Sequence, residues 1–124
     1  MAAKDELGAR GEQIAVRELV DLGWSVLARN WRPRPGRGAA RGEIDIVAVD
    51  GDELVVVEVK TRSTSAFGGA VAAVTRSKLA RLRRLAAEWL AGQDQRFAGV
   101  RIDVVCIDLG RDGRPQVQIL RGVE

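Results

Sequence analysis

Residues 42–63 read GEIDIVAVDGDELVVVEVKTRS. Runs rich in Val and Ile over Glu43 to Val49 and Glu53 to Lys60, broken at Asp50-Gly51, are the pattern of two strands joined by a tight hairpin. Side chains alternate along a strand, so Glu58 and Lys60 share one face while Val55, Val57 and Val59 share the other. Glu43 and Asp45 share a face of the first strand. A loop with an even number of residues, whether Asp50-Gly51 or Asp50 to Glu53, brings Asp45 to the side of Glu58 and Lys60. An odd loop without a bulge separates them.

That side of the hairpin is electrostatically costly. At an effective dielectric near 20, two carboxylates about 5 Å apart repel by roughly 3 kcal/mol, whereas a good cross-strand pair contributes about 0.2–1 kcal/mol. Glu43, Asp45 and Glu58 therefore need positive charge, of which Lys60 supplies part. A divalent ion such as Mg²⁺ would supply the rest, because it favours carboxylate oxygens, keeps several waters and takes phosphate oxygens as further ligands. Glu-x-Lys on an exposed strand is by itself a common solubilising pattern. Here Asp45 lies between Ile44 and Ile46, and Glu58 between Val57 and Val59, which is the composition of strands central in a sheet.

The chain has 124 residues, enough for one domain over 1–124 with a single sheet and a few helices. With 46% hydrophobic and 30% charged residues it reads as a soluble globular protein, and its net charge of +3 is compatible with a polyanionic partner. Histidine is absent, which removes Ser-His-Asp and Cys-His mechanisms and histidine zinc sites. No Walker-type glycine loop and no dinucleotide fingerprint occurs, so carboxylate chemistry is what remains. The one cysteine, Cys106, sits in an apolar run and reads as a small core residue. Lys4, Asp5, Glu6 and Arg10 leave no signal-peptide core, and no apolar run reaches transmembrane length. A cytoplasmic location without membrane contact is expected.

Elsewhere, Lys4 to Leu22 reads as a helix closed by Gly23. On it Glu12 projects among Gly8, Ala15, Val16 and Leu19, but Glu18 is flanked in a similar way by Ile14 and Leu22, and spacing alone does not choose between them. Trp24 to Arg29 reads as the first strand. Residues 32–41 form an arginine-rich loop whose glycines and prolines forbid regular structure. With Arg32, Arg34, Arg37 and Arg41 and no acid, it is a candidate to close over a nucleic-acid backbone, or else a solvated connection.

Beyond Lys60 a small-residue segment runs around Phe67-Gly68-Gly69. Thr75 then caps a helix from Arg76 to Ala91 with Leu79, Leu82, Leu85, Ala86, Trp89 and Leu90 as its apolar stripe. Lys78 projects on the stripe side in the first turn, where a cation opposes the helix dipole, and is a candidate phosphate contact. Arg81, Arg83 and Arg84 fall mostly off the stripe. Arg101 to Leu109 and Gln116 to Leu120 complete the strands, separated by a turn over Gly110 to Pro115. Asp103, facing with Val105 and Ile107, most simply pairs with Arg62 or Arg101. The expected order is αβββαββ: an α/β domain with a mixed sheet flanked by helices.

Asp45 followed by Glu58-Val59-Lys60 resembles the PD-(D/E)xK nuclease signature, particularly its form in Holliday-junction resolvases, which adds a glutamate from the first helix. Ile44 stands where the general signature has proline. More narrowly, Ala28-Arg29-Asn30-Trp31-Arg32, Gly42-Glu43-Ile44-Asp45, Val57 to Ser63 and Arg101-Ile102-Asp103-Val104-Val105 resemble the YraN family of bacterial proteins, over nearly the whole chain. The resemblance implies a restriction-endonuclease-like, resolvase-like fold and metal-dependent hydrolysis of phosphodiesters in branched or structured nucleic acid, DNA more than RNA. It implies Asp45, Glu58 and the Val59 carbonyl as ligands of Mg²⁺ or Mn²⁺, Lys60 and Glu12 as further catalytic residues, and Glu43 as an accessory carboxylate. Arg62 joins the loop arginines and Lys78 as a candidate nucleic-acid contact. Resolvases of this kind act as dimers, so the resemblance extends to a homodimer, which the sequence itself does not show. A non-catalytic nucleic-acid-binding module of the same fold and a protein-interaction adaptor are the alternatives.

Overall fold

A computed structural model describes residues 3–36, 41–63, 74–110 and 114–123. The elements follow the expected order: α1 (Ala3–Asp21), β1 (Ser25–Trp31), β2 (Ile44–Asp50), β3 (Glu53–Arg62), α2 (Arg76–Ala91), β4 (Gly99–Asp108) and β5 (Gln116–Leu120). Arg37, the Phe67-Gly68-Gly69 run and part of the turn after Gly110 lie outside the described residues. Among those described, no helix is long and apolar enough to cross a membrane.

The five strands lie side by side in sequence order; β3 pairs antiparallel with β2 and parallel with β4, while β1 and β5 pair antiparallel at the edges. The parallel step is the one spanned by α2, since a parallel neighbour needs a crossover. Leu54, Val55, Val56 and Val57 of β3 are fully buried, the run of apolar residues expected of a strand covered on both faces. Odd residues of β3 pack with Ala15 and Leu19 of α1, and even residues with Leu79, Leu82, Leu85 and Trp89 of α2, giving two cores on opposite faces of the sheet.

Local chemistry fixes both helices. At the end of α1 the Gly23 N–H donates to the Val20 carbonyl and the Trp24 N–H to the Leu19 carbonyl, with Gly23 at φ +90°. This is a Schellman cap, which wants glycine because of the left-handed φ. Thr75 caps α2 by accepting the Lys78 N–H at 3.2 Å.

The hairpin loop is Gly51-Asp52, closed by the Asp50↔Glu53 pair, with Gly51 at φ +64°. The tip lies one residue later than Asp50-Gly51, and the register is the one expected from the longer Asp50-to-Glu53 loop. Both loops are even, so Asp45 keeps its place on the Glu58 side. The ladder between β2 and β3 stops at Ile46↔Val57, whereas β3 continues beside β4 as far as Arg62↔Asp108. The two strands therefore part at Asp45.

β1 differs from its expected span in starting after Trp24 and continuing to Trp31. Trp24 is the buried second residue of the Schellman cap. Between Val26↔Ala48 and Ala28↔Val47 the register shifts, leaving Leu27 as a bulge residue. β4 begins two residues before Arg101, because Gly99 and Val100 pair with Glu53 and Leu54.

Candidate active site

Where β2 leaves β3, Val59 has no main-chain partner on β2. The Asp45 carboxylate takes that place, its Oδ2 accepting the Val59 N–H at 2.8 Å. In an extended strand the N–H and C=O of one residue point to the same neighbour, so the Val59 carbonyl is aimed into the same gap. The carboxyl of Glu58, from the even face of β3, lies close enough to that of Asp45 for its charge to act on it. Burial first, and then the charge of Glu58, push the Asp45 carboxyl up to about 7; the Val59 N–H opposes this, while the closeness of the two carboxyls and the charge of Glu12 add to it.

Two ammonium groups stand over this pair. Lys78 Nζ lies 3.7 Å from Glu58 Oε1, with those side chains 28% and 12% exposed. Lys60, two residues along from Glu58, is held below the usual lysine range by burial, then by the approach of Lys78, against the pull of Glu58 and Asp45.

Two cavities meet at the gap, and Glu43 and Asp45 line both. The larger, about 560 Å³, is walled by Leu7, Gly8, Glu12, Arg29, Val59 and Lys60. The smaller, about 230 Å³, is walled by Gly42, Glu58, Lys78, Arg81 and Leu82. Gly11 is what lets α1 close the larger cavity. A Cβ placed there would run into the side chain of Thr61, lying 2.7 Å from Cγ2 and 2.8 Å from Cβ. The absence of a side chain at position 11 thus sets the distance of Glu12 from β3.

The acids do not gather as one group. Among the described residues no three of Asp, Glu and Cys converge as a ready-made metal-ligand cluster. Asp45 and Glu58 form the close pair. Glu12 stands on the α1 wall with Arg29 at 3.6 Å, and its buried Oε1 has no hydrogen-bond partner. Glu43 is turned to Arg32, whose Nε donates to it at 3.1 Å. The gap therefore offers a cation the two carboxylates, the Val59 carbonyl and the Glu12 Oε1, which has Arg29 as an ion-pair partner but no hydrogen bond. That hard-oxygen set fits Mg²⁺ or Mn²⁺ with water completing the shell.

The other basic residues are spread further out. Arg32, Arg34 and Arg41 are exposed and line a separate hollow that shares Gly42 with the smaller cavity. Arg62 is half-buried on the Glu58–Lys60 face, in register with Asp108 and close enough to Cys106 for its charge to act on the thiol. Arg101, rather than Arg62, pairs with Asp103.

Two residues that the sequence reading did not place at the site lie there. Arg29 faces Glu12, and Arg81 lines the smaller cavity beside Lys78. Arg81 was legible in principle, since residues three apart on a helix are neighbours. Arg29 was not, because the bulge at Leu27 decides its side.

Comparisons with known proteins agree with one another. The model of "Uncharacterised protein family UPF0102" matches residues 11–107. The chain is similar to the UPF0102 protein of Beutenbergia cavernae, 54% identical over 123 residues that cover 99% of each chain. It is similar also to the UPF0102 protein of Mycolicibacterium vanbaalenii, 51% identical over 121 residues, 98% of this chain and 95% of that one. To the UPF0102 protein of Mycobacterium marinum it is 47% identical over 120 residues, 95% and 93% of the two chains.

Proposed function

The chain belongs to the UPF0102 family, the YraN group its motifs resemble, and from that premise we propose that it is a metal-dependent endonuclease acting on branched or otherwise structured DNA. The observation that carries the proposal is the Asp45–Glu58 pair. Two carboxyls are pressed together in a gap between strands, on the wall of a cleft, with Lys60 and Lys78 over them. Folding alone has no use for that arrangement, which leaves a proton bound near neutrality where a cation would serve better.

Asp45, Glu58 and the Val59 carbonyl would hold Mg²⁺ or Mn²⁺, with Glu12 reaching the site from α1. A bound divalent ion supplies Lewis-acid polarisation of a phosphoryl oxygen and a water acidic enough to attack at neutral pH. The chain's own part is positioning. Asp45 is fixed by the Val59 N–H, so its second oxygen is the one free to turn into the cleft. Lys60 presents an ammonium group to the attacking water and to the charge that develops on phosphorus. The exposed Arg32, Arg34 and Arg41, with Arg62, would meet phosphates flanking the scissile one. A resolvase-like assembly of two copies belongs to the same proposal.

The test incubates wild type and Glu58→Ala with four-way junctions, flaps and single strands in Mg²⁺ and in Mn²⁺. Cleavage by wild type that Glu58→Ala abolishes is the expected result. Cleavage by both proteins alike marks a contaminant and sinks the assignment, as does inertness of wild type on every substrate.

One observation favours a second reading, a non-catalytic nucleic-acid-binding module. Glu43 is occupied by Arg32, and the tight acid set is only a pair. That reading expects Asp45→Asn and Glu58→Gln to bind DNA as well as wild type or better, with no cleavage by any of the three.

A further inference from the structure

Lys78 occupies the third position of α2, where a Thr-capped helix normally carries Glu or Gln and where a cation runs against the helix dipole. Nothing local to the helix accounts for it. Its surroundings do: Nζ is 3.7 Å from Glu58 Oε1, which is an ion pair but too long for a hydrogen bond, and the ammonium of Lys60 is drawn in beside it. Two ammonium groups crowded over one carboxyl repel each other, and an arriving anion relieves that repulsion. The 230 Å³ cavity next to Lys78 has Arg81 on its wall, a second cation facing the same space.

Glu58 is also the carboxylate a divalent ion would use, and that ion and Lys78 cannot share it without strong repulsion. We infer that Lys78 is a displaceable counter-ion: it neutralises Glu58 while the cation is absent, and cation binding frees it to take a substrate phosphate in the cavity it shares with Arg81. Cation and phosphate binding are then coupled through this one side chain, each favouring the other. The inference rests on the metal-dependent reading above and adds to it a positioning residue from outside the hairpin.

The test uses the full chain as wild type, Lys78→Gln and Lys78→Arg. Mn²⁺ is titrated calorimetrically without nucleic acid, and a labelled four-way junction is titrated with protein in Ca²⁺ and in EDTA. Lys78→Gln is expected to bind Mn²⁺ about tenfold more tightly, since a competing charge has gone. It should also lose most of the gain in junction affinity that Ca²⁺ gives wild type. Lys78→Arg should keep both wild-type behaviours. Because removing a cation from the first turn of a helix favours the helix, a merely structural Lys78 would show a small rise in melting temperature and unchanged Mn²⁺ affinity, which overturns the inference. An undiminished Ca²⁺ effect in Lys78→Gln overturns it too. Should wild type itself bind no Mn²⁺, the metal-dependent reading falls first and takes the inference with it. Where Mn²⁺ binds but no substrate is cut, the affinity ratio alone decides about Lys78.

Discussion

At the turn end of the β2–β3 hairpin, Asp50, Glu53 and the neighbouring Asp103 of β4 are gathered by one guanidinium. At the open end Asp45 and Glu58 face two ammonium groups and keep an unsettled proton. Arg101 donates through Nε to Asp103 at 3.1 Å, through one terminal nitrogen to Glu53 at 2.9 Å and through the other to Asp50 at 2.8 Å. The Gly122 N–H donates to Asp103 at 2.9 Å, and the Trp24 ring lies 5.1 Å from the guanidinium carbon. Burial works against the Arg101 charge, but the three carboxylates more than offset it and hold the guanidinium above its ordinary range. A planar fork with five donors suits three acids at once, and a lysine could not replace it. The open end has point charges instead of a fork, its ion pair is longer, and a buried oxygen of Glu12 is left without a hydrogen bond. On the proposed function, the difference separates a structural cluster from the site. Where acids are fully matched they staple strands together, and where they are left partly unmatched there is room for a ligand to complete them.

The sharpest way to break this comparison is to remove the fork. Arg101→Met should lower the unfolding free energy by about 3–5 kcal/mol, the cost of leaving a buried carboxylate unpaired. Urea denaturation at neutral pH measures it, and a loss below about 1 kcal/mol would make the hub no more than a surface pair.

The next effect is at the open end and has a pH signature. The Asp45 carboxyl moves from 3.8 to about 7 on folding. A raised acid contributes stability below its unfolded value and loses it as pH rises through the folded one. In EDTA, wild type should therefore lose stability between about pH 4 and pH 7 and lose no more from this group above that. Asp45→Asn should lack the slope and exceed wild type at pH 8 by on the order of 4 kcal/mol. Parallel pH profiles for the two proteins would remove Asp45 from the partly unmatched cluster.

The smallest effect sharpens the geometry. Gly11→Ala gains about 1 kcal/mol of helix propensity but forces α1 off Thr61. A net loss of about 1–2 kcal/mol is expected, partly recovered by Thr61→Ala in the same chain, as thermal melts will show. A stabilised Gly11→Ala would mean that α1 stands free of β3.

How much of this was legible depended on the range of each interaction. The pairing of Asp45 with the Glu58 face followed from loop parity, a local property of residues 42–63, and the observed Gly51-Asp52 loop preserves it. The apolar stripe of α2 and its Thr75 cap were local too. Asp103 was expected to find an arginine, and Arg101 was one of two named. That Arg101 also holds Asp50 and Glu53 depends on the parallel register with β3, which places it opposite Val55 and which no local pattern fixes. Glu12 and Glu18 could not be separated, because the choice is made by the contact of Gly11 with Thr61, fifty residues away in the chain. The capture of Glu43 by Arg32 was hidden because both residues lie just outside the strands, where side-chain direction has no period to follow.

The surplus residue in β1 has a consequence for what changes of length the chain can accept. Pairing Leu27 with Val47, with no bulge, would set Arg29 opposite Asp45 instead of Ile46, on the α2 side of the sheet. Flattening the bulge with every residue kept would carry a guanidinium across the sheet, strip Glu12 of its neighbour and present the carboxyl pair with a third permanent cation. Shortening by one at Leu27 keeps the partner, and so the side, of every charge that follows, because the residue removed is the one that has no partner of its own.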